Sequence, residues 1–155
     1  MKIAVLGLGI IGSRAAANLQ SNPDHEVRLW SRTARGIPAE KVSIAAAVDG
    51  VEAIACYLKD SEALRQVMAE IELSANTSPT LLNHSTIDLE TTRWLADRCA
   101  SLGWGFLDAP FTGSRDAAQN RQLVYYVGGA LDTIEAFKPI LMETGREVIP
   151  CGEPG

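Results

Sequence analysis

The sequence begins with MKIAVLGLGIIGSR, residues 1–14, and this stretch decides the fold. Its first half, Lys2–Leu6, is apolar along nearly its whole length, which is typical of a strand buried on both faces of a sheet. Three glycines follow at once in the spacing Gly-x-Gly-x-x-Gly, and apolar residues then recur at helical intervals over Ile10–Gln20. The order strand, glycine turn and helix is typical of the first unit of a dinucleotide-binding fold.

Each glycine of the turn has a separate physical purpose in such a fold. Gly7 allows the tight turn, Gly9 lets the backbone approach a pyrophosphate, and Gly12 lets the helix pack closely on the strand. The helix N-terminus then offers unpaired N–H groups and a partial positive charge to the phosphates. We therefore predict that a dinucleotide binds along the whole turn, at Gly7, Leu8, Gly9, Ile10, Ile11 and Gly12.

Short apolar runs alternate with helix-like segments through the rest of the chain, as in a parallel sheet flanked by helices. The predicted strands are Lys2–Leu6, Val27–Trp30, Ala53–Leu58, Thr80–Asn83, Gly105–Asp108, Val124–Val127 and Glu147–Ile149. The predicted helices are Ile10–Gln20, Glu62–Ile71 after an N-cap at Ser61, Leu89–Leu102 after an N-cap at Asp88, and Thr133–Met142 with Asp132 at its start. The fold class is therefore α/β, with a Rossmann-like, doubly wound and mostly parallel sheet in a single domain, and Trp94 and Trp104 are expected to pack in its core.

One crossover of this fold is compressed. Only the nine residues ARGIPAEKV separate Thr33 from Ser43, and Gly36 and Pro38 break any helix among them. A helix and a strand together need more chain than this. We predict that the crossover is reduced to a loop or that one strand is very short.

Composition narrows the class of protein. The 155 residues suit one domain, and 46% hydrophobic with 21% charged residues is typical of a globular chain. A net charge of -5 argues against a nucleic-acid or membrane surface, and no apolar run approaches the ~18 residues of a membrane span. The three cysteines have no Cys-x-x-Cys spacing, so we expect reduced thiols in a cytoplasmic protein, no metal site, and His84 as a loop or strand-end residue.

The end of the second strand predicts which dinucleotide binds. NAD sites usually hold the ribose 2′-hydroxyl with an acidic residue about 20 residues past the glycine turn. Here the sequence has Ser31, Arg32 and Thr33 instead. A guanidinium and two hydroxyls would bind a 2′-phosphate that a carboxylate would repel, so we predict NADP(H) over NAD(H). The alternative is that Arg32 is a solvated surface charge.

Five motifs in one order then indicate a family. The glycine turn, SRT, NHSTID, DAPFTGS and YYVGG run along essentially the whole chain in the order and spacing of the β-hydroxyacid dehydrogenases, which the sequence resembles. That family includes 3-hydroxyisobutyrate dehydrogenases and glyoxylate/succinic semialdehyde reductases, and it is similar to the N-terminal NADP-binding domain of 6-phosphogluconate dehydrogenase. The resemblance implies hydride transfer between NADP(H) and a small β-hydroxyacid or aldehyde acid.

The resemblance also implies roles for single residues. Thr112 and Gly113 would bind the substrate carboxylate through a hydroxyl and a backbone N–H, where the family usually has Ser-Gly. Thr86 would lie beside the nicotinamide, and Leu58 would lie against the cofactor. The family follows that leucine with proline, whereas this chain has Lys59, which we expect to be an exposed loop residue.

The family's catalytic lysine has no counterpart in the sequence. Family members continue into a long helix that carries this lysine and an asparagine, and then into an all-helical domain that mediates dimerisation. None of the lysines in residues 1–155 (Lys2, Lys41, Lys59 and Lys138) lies where the pattern puts it. We therefore expect the chain to be a cofactor-binding domain that binds NADP(H) with little or no turnover. By the resemblance, the protein could form a homodimer.

Two other functions remain open from the sequence. The chain could be a stand-alone nucleotide-binding module with a sensing or scaffolding role, which would bind cofactor without any partner that restores activity. It could also be similar to the imine reductases, which share the glycine turn and the Arg-Thr pair. The stretch DAPFTGS argues against that alternative, because a carboxylate-binding Ser/Thr-Gly is a hydroxyacid feature.

Overall fold

The computed structural model describes residues 1–155 and contains one eight-stranded sheet with helices on both faces. The strands are β1 (Lys2–Leu6), β2 (Glu26–Trp30), β3 (Ala53–Cys56), β4 (Thr80–Asn83), β5 (Gly105–Asp108), β6 (Phe111–Thr112), β7 (Leu123–Gly128) and β8 (Gly145–Gly152). The helices are α1 (Gly12–Gln20), α2 (Ile44–Val48), α3 (Ser61–Ser74), α4 (Leu89–Ser101), α5 (Arg115–Gln119) and α6 (Leu131–Met142). No helix is long and apolar enough to cross a membrane.

The strand order places a crevice at the end of β1. The order is β2-β1-β3-β4-β5-β7-β6, with β8 beside β7. Strands β1 to β5 pair in parallel, β7 pairs antiparallel with β5 and β6, and β8 pairs in parallel with β7. The chain leaves β1 toward β2 on one side and returns to β3 on the other, and such a switch point opens a ligand crevice at the carboxyl ends of the strands. The predicted fold class, a doubly wound and mostly parallel sheet, is confirmed.

Two apolar clusters, one on each face, hold the sheet and helices together. Strand β1 alternates between them: Ile3 and Val5 lie in one cluster, Ala4 and Leu6 in the other, and all four are fully buried. Helices α1, α5 and α6 cover the first face, while α2, α3 and α4 cover the second. This double burial explains why β1 reads as a continuous apolar run. The packing role predicted for the tryptophans is also confirmed, because Trp94 and Trp104 pack against the second cluster.

Several predicted element ends were wrong. Strand β3 stops at Cys56, so Leu58 lies in the loop after it, and α1 begins at Gly12 rather than Ile10. The N-cap of α3 is Asp60, whose carboxylate accepts the N–H of Ala63 at 2.9 Å, because a cap precedes the first helical residue and Ser61 already is that residue. Helix α6 starts two residues before Thr133, after an uncapped Ala130. The short elements α2, α5 and β6 were not predicted.

The stretch ARGIPAEKV forms a loop between β2 and α2, which is one of the two predicted alternatives. It turns back beside β2, where Leu29 donates its N–H to the carbonyl of Ala39 at 3.0 Å and accepts the N–H of Lys41 at 2.7 Å. The short helix α2 follows directly, capped by the Ser43 side chain. The chain therefore crosses from β2 to β3 with a single helix of five residues.

Candidate functional site

Steric contacts explain two of the three glycines in the turn after β1. Gly7 has φ +100°, and a Cβ built on it would lie 2.2 Å from the carbonyl oxygen of Tyr57. A Cβ on Gly12 would lie 2.0 Å from the carbonyl oxygen of Gly7. A Cβ on Gly9, in contrast, would meet no atom within 4 Å. The fold itself thus requires glycine at positions 7 and 12, whereas glycine at position 9 leaves an open space at the crevice.

The same turn carries a row of unpaired hydrogen-bond donors. The backbone N–H groups of Leu8, Gly9, Ile10, Ile11 and Gly12 donate to no acceptor in the protein. Helix α1 starts at Gly12 with no side-chain cap, so no side chain occupies its N-terminus. The carbonyl of Gly9 is held back by Ser13, which donates to it from both its N–H and its hydroxyl. Unpaired donors at an uncapped helix N-terminus suit a phosphate group.

Two cavities meet at this turn and form one cleft. The β2-side cavity, of about 360 Å³, is lined by Gly7, Leu8, Gly9, Trp30, Ser31, Arg32, Thr33, Arg35, Tyr57, Leu58, Lys59, Ala63, Gln66, Val67 and Glu70. The β4-side cavity, of about 390 Å³, is lined by Gly9, Ile10, Ile11, Gly12, Tyr57, Leu58, Lys59, His84, Ser85, Thr86 and Phe111. Every residue that the sequence analysis predicted for cofactor contact lines one or both of these cavities.

The two residues predicted to bind substrate lie next to the cleft but do not line it. Phe111 is the residue of the DAPFTGS stretch that lines the β4-side cavity. Thr112 follows it in β6, paired with Val124 of β7, and is exposed. Gly113 is also exposed and has φ +145°. Neither the Thr112 hydroxyl nor the Gly113 N–H has a partner within the protein, so both are available to a ligand.

The carboxylate of Glu40 lies at the end of β2, where the sequence predicted no acidic side chain. The hydroxyl of Ser31 lies 3.0 Å from Oε1 of Glu40 and 2.8 Å from the carbonyl oxygen of Thr33. Oε2 of the same Glu40 accepts the N–H groups of Arg35 and Gly36, each at 2.8 Å. Desolvation acts to raise the pKa of Glu40, but these hydrogen bonds together hold that pKa below its ordinary value. Glu40 is therefore ionised at neutral pH.

Two arginines border the β2-side cavity without any partner. Arg32 and Arg35 are both exposed, and neither guanidinium makes an ion pair or a hydrogen bond within the protein. Arg32 was predicted from the sequence as a cofactor-binding residue, whereas Arg35 was not. The signal for Arg35 was the compressed crossover, because the return of this loop beside β2 keeps both residues near the crevice.

The β4-side cavity rests on buried aromatic rings. His84 follows β4 directly, as predicted, and its ring stacks on Tyr57 with centroids 4.5 Å apart. Its Nδ1 lies 2.9 Å from the carbonyl oxygen of Ala109, which can only accept, so Nδ1 carries the proton. Burial lowers the pKa of His84 to about 4 and keeps the ring neutral. Nε2 is left as an acceptor without a protein partner on a ring that lines the cavity. The sequence analysis missed this role.

A second group of polar contacts holds the Leu58 loop. The N–H of Leu58 donates to the hydroxyl of Ser85 at 2.8 Å, which ties the loop after β3 to the end of β4. Lys59, which replaces the proline of the family pattern, is exposed as expected and pairs only with Asp60 at 3.6 Å. The loop is thus anchored by a hydrogen bond and does not depend on the missing proline.

No group of three or more His, Cys, Asp and Glu side chains is arranged to hold a metal ion. The cleft therefore offers backbone donors, two free guanidinium groups, and aromatic and apolar walls. Such a surface suits a long ligand with a polyanionic centre and a flat ring at one end.

Comparison with known proteins identifies this arrangement. A family model for the NAD binding domain of 6-phosphogluconate dehydrogenase matches residues 2–152. An uncharacterised oxidoreductase of Synechocystis sp. is 31% identical over 166 residues, which cover 99% of this chain and 57% of the relative. The chain thus spans about half the length of such relatives.

Solved structures agree on the fold. The 3-hydroxyisobutyrate dehydrogenase of Mycobacterium tuberculosis, solved with L-serine, has a TM-score of 0.91 and 28% identity, covering 99% of this chain and 55% of that one. An imine reductase of Streptomyces aurantiacus has a TM-score of 0.85 at 24% identity, covering 99% and 56%, and this likeness shows the fold alone. The chain belongs to the β-hydroxyacid dehydrogenase family, of which it carries the nicotinamide-dinucleotide-binding domain of the 6-phosphogluconate dehydrogenase type.

Proposed function

We propose that residues 1–155 form the cofactor-binding domain of an NADP-dependent oxidoreductase that moves a hydride between NADP(H) and a small β-hydroxyacid or aldehyde acid. The observation that carries this proposal is the row of five unpaired N–H groups around the open Gly9 position. A pyrophosphate fits such a row, because its oxygens accept from several backbone donors and no Cβ blocks its approach.

The proposal assigns the two cavities to the two ends of the cofactor. Ser31, Arg32 and Thr33 of the β2-side cavity would hold the adenosine ribose, and Leu58 and Thr86 of the β4-side cavity would hold the nicotinamide. The bound nicotinamide supplies or accepts the hydride at its C4 carbon. The residues of this chain bind and orient the cofactor and exclude water from one side of the ring.

Selection of the phosphorylated cofactor follows from the unpaired cations. Arg32 and Arg35 would bind a 2′-phosphate by charge-assisted hydrogen bonds, and neither has to leave a partner to do so. The charge of Glu40 opposes this, but its oxygens already accept hydrogen bonds from the loop. The two guanidinium groups without a partner favour NADP(H), because they border the same cavity and Glu40 already accepts hydrogen bonds from the loop.

The substrate is proposed from the DAPFTGS stretch and from the named relatives. Thr112 and Gly113 would hold the substrate carboxylate through the free hydroxyl and N–H. One solved relative is named a 3-hydroxyisobutyrate dehydrogenase, which supports a small hydroxyacid. The proton of the reaction would come from a lysine outside residues 1–155, as the family resemblance implies, because neutral His84 already donates its one ring proton, on Nδ1, to the carbonyl oxygen of Ala109. The chain alone would therefore bind cofactor with little or no turnover.

Titration with NADPH and NADH tests the proposal. We expect the 155-residue chain to bind NADPH more tightly, and Arg32→Ala to weaken NADPH by about 1.5–3 kcal/mol, roughly 10- to 150-fold, because a hydrogen bond to a charged group is lost. NADH affinity of this variant should stay within about twofold. Equal affinities of the wild-type chain for the two cofactors would contradict the assignment.

The gene sequence distinguishes the proposed function from the alternative of a stand-alone nucleotide-binding module. The codons after Gly155 in the source gene would encode a helix with lysine and asparagine one turn apart if the proposal is correct. A stop codon at that point would favour the module. An imine substrate is not proposed, because the likeness to the imine reductase described above concerns the fold alone.

A further inference from the structure

We propose that Glu40 is a positioning residue, which folds the loop after β2 so that Arg32 and Arg35 face one phosphate and thereby sets the preference for a 2′-phosphorylated cofactor. The inference rests on the proposed function, since it concerns the same ribose end of the cleft. Glu40 itself would not touch the cofactor. It would act through the loop of residues 31–41, which we call the ribose loop.

The ribose loop lacks the support that a crossover normally has. Its regular contact with the sheet is limited to the pairing of residues 39–41 with Leu29. Gly36 and Ala39 both have positive φ, +65° and +68°. A left-handed alanine costs about 1–2 kcal/mol relative to ordinary backbone, so other contacts must hold this conformation.

The carboxylate of Glu40 supplies those contacts. Oε1 lies 3.0 Å from the Ser31 hydroxyl and 3.0 Å from the N–H of Arg35, and Oε2 lies 2.8 Å from the N–H groups of Arg35 and Gly36. One side chain therefore joins the start of the loop, at Ser31, to its middle, at Arg35 and Gly36. Because the backbone N–H of Arg35 is held by Glu40, the point at which the Arg35 side chain leaves the loop depends on Glu40.

This use of a carboxylate differs from that in an NAD site. There an acidic side chain at the end of the second strand accepts hydrogen bonds from the ribose hydroxyls. Here both oxygens of Glu40 already accept hydrogen bonds from the loop, while neither the Arg32 nor the Arg35 guanidinium has a partner. The rival assignment is that Glu40 releases Ser31 and binds the ribose directly, which would favour NADH. The two assignments predict opposite effects of removing the charge.

Cofactor titration of Glu40→Ala and Glu40→Gln in the 155-residue chain distinguishes them. If Glu40 positions the loop, Glu40→Ala weakens NADPH at least tenfold and NADH less than threefold, and Glu40→Gln, which retains one accepting oxygen, falls between. If Glu40 binds ribose, both variants weaken NADH and tighten NADPH, which would overturn the inference. A variant that leaves the ratio of the two dissociation constants unchanged would overturn it as well.

Glu70→Ala is the matched control for charge. Glu70 also lines the β2-side cavity, but it makes no hydrogen bond to the ribose loop. Its removal takes away the same negative charge, so it should leave NADPH binding equal or tighter. A loss of NADPH affinity in Glu40→Ala that Glu70→Ala does not share therefore reports the loop contacts and not the charge.

Limited trypsin digestion tests the inference without any cofactor. Trypsin cuts after Arg32 and Arg35, and Glu40→Ala should be cut there at least fivefold faster than the wild-type chain, since the loop has lost its central acceptor. Cleavage at the wild-type rate would overturn the inference. Failure of the proposed function has a separate signature, because the wild-type chain would then show no preference for NADPH before any substitution is made.

Discussion

The two cavities of the cleft share Gly9, Tyr57, Leu58 and Lys59 but are built in opposite ways. The β2-side cavity is bordered by an exposed loop with two unpaired arginines and one hydrogen-bonded glutamate. The β4-side cavity rests on the buried His84, whose ring stacks on the half-buried Tyr57 at the edge of the first apolar cluster. Charge and loop hydrogen bonds therefore dominate one end, and burial dominates the other.

This contrast teaches which changes each end tolerates. An exposed loop held by polar contacts can change its ligand preference with a small cost in stability, because few buried contacts depend on it. A cavity floor made of buried rings couples ligand binding to the stability of the whole domain. Substitutions at the β4-side should therefore change the free energy of unfolding, and substitutions at the β2-side should mainly change cofactor affinity.

The largest effect is expected where the two cavities meet, at the glycine turn. Gly12→Ala places a Cβ 2.0 Å from the carbonyl oxygen of Gly7, so β1 and α1 must move apart. We expect this variant to lose more than about 3 kcal/mol of stability or to fail to fold, since backbone atoms cannot give way as side chains do. Urea denaturation followed by circular dichroism measures the change.

Gly9→Ala is the matched variant for this turn. Its Cβ would meet no protein atom, so the stability should stay within about 0.5 kcal/mol of the wild-type chain. Binding of both NADPH and NADH should nevertheless fall at least tenfold, because the methyl group enters the space that the pyrophosphate needs. If the Gly9→Ala chain binds both cofactors normally, the pyrophosphate does not bind at Gly9.

The glycine turn also shows what a sequence can predict. Gly7 and Gly12 are required by clashes with backbone atoms of the loop after β3 and of the turn itself, and the glycine motif captures both positions. The apolar run of β1 is equally readable, because burial on both faces leaves no polar position in it. For these reasons β1, its turn and the parallel fold were predicted, although the glycine spacing places α1 two residues too early.

The parts that were missed depend on contacts that a motif does not contain. Glu40 reaches Ser31 across nine residues, and only the folded loop brings the two together. His84 looked like an ordinary strand-end residue, because nothing in the sequence shows that Tyr57 stacks on it. The missed elements α2, α5 and β6 have five, five and two residues, too few for any periodic pattern to emerge.

The next largest effect is expected at His84 of the β4-side cavity, which should make the free energy of unfolding sensitive to acid. The pKa of His84 is about 4 in the folded protein against an ordinary value of 6.5, so between these values the unfolded chain binds a proton that the folded protein does not. Stability therefore falls as the pH falls through this range, by about 1.5 kcal/mol between pH 6.5 and pH 5.

His84→Asn tests this origin of the acid sensitivity. Asparagine keeps an N–H donor for the Ala109 carbonyl but has no group that titrates in this range. Urea denaturation of both chains at pH 6.5 and pH 5 should show about 1.5 kcal/mol less acid destabilisation in the variant. Effects of carboxylates cancel in this difference, and equal pH dependence of the two chains would show that His84 is not a buried neutral group.

The smallest effect on this chain is expected at Thr112, which belongs to neither cavity. Its hydroxyl has no protein partner, and valine has the same shape and suits the β6 position opposite Val124. Thr112→Val should therefore leave stability within about 0.5 kcal/mol and NADPH affinity within twofold. In the presence of NADP⁺, however, 3-hydroxyisobutyrate should no longer shift the backbone amide resonance of Gly113, because the carboxylate has lost one of its two donors.

An unchanged shift in the variant would exclude the Thr112 hydroxyl as a substrate ligand. A change in NADPH affinity would instead show that Thr112 contributes to the β4-side cavity.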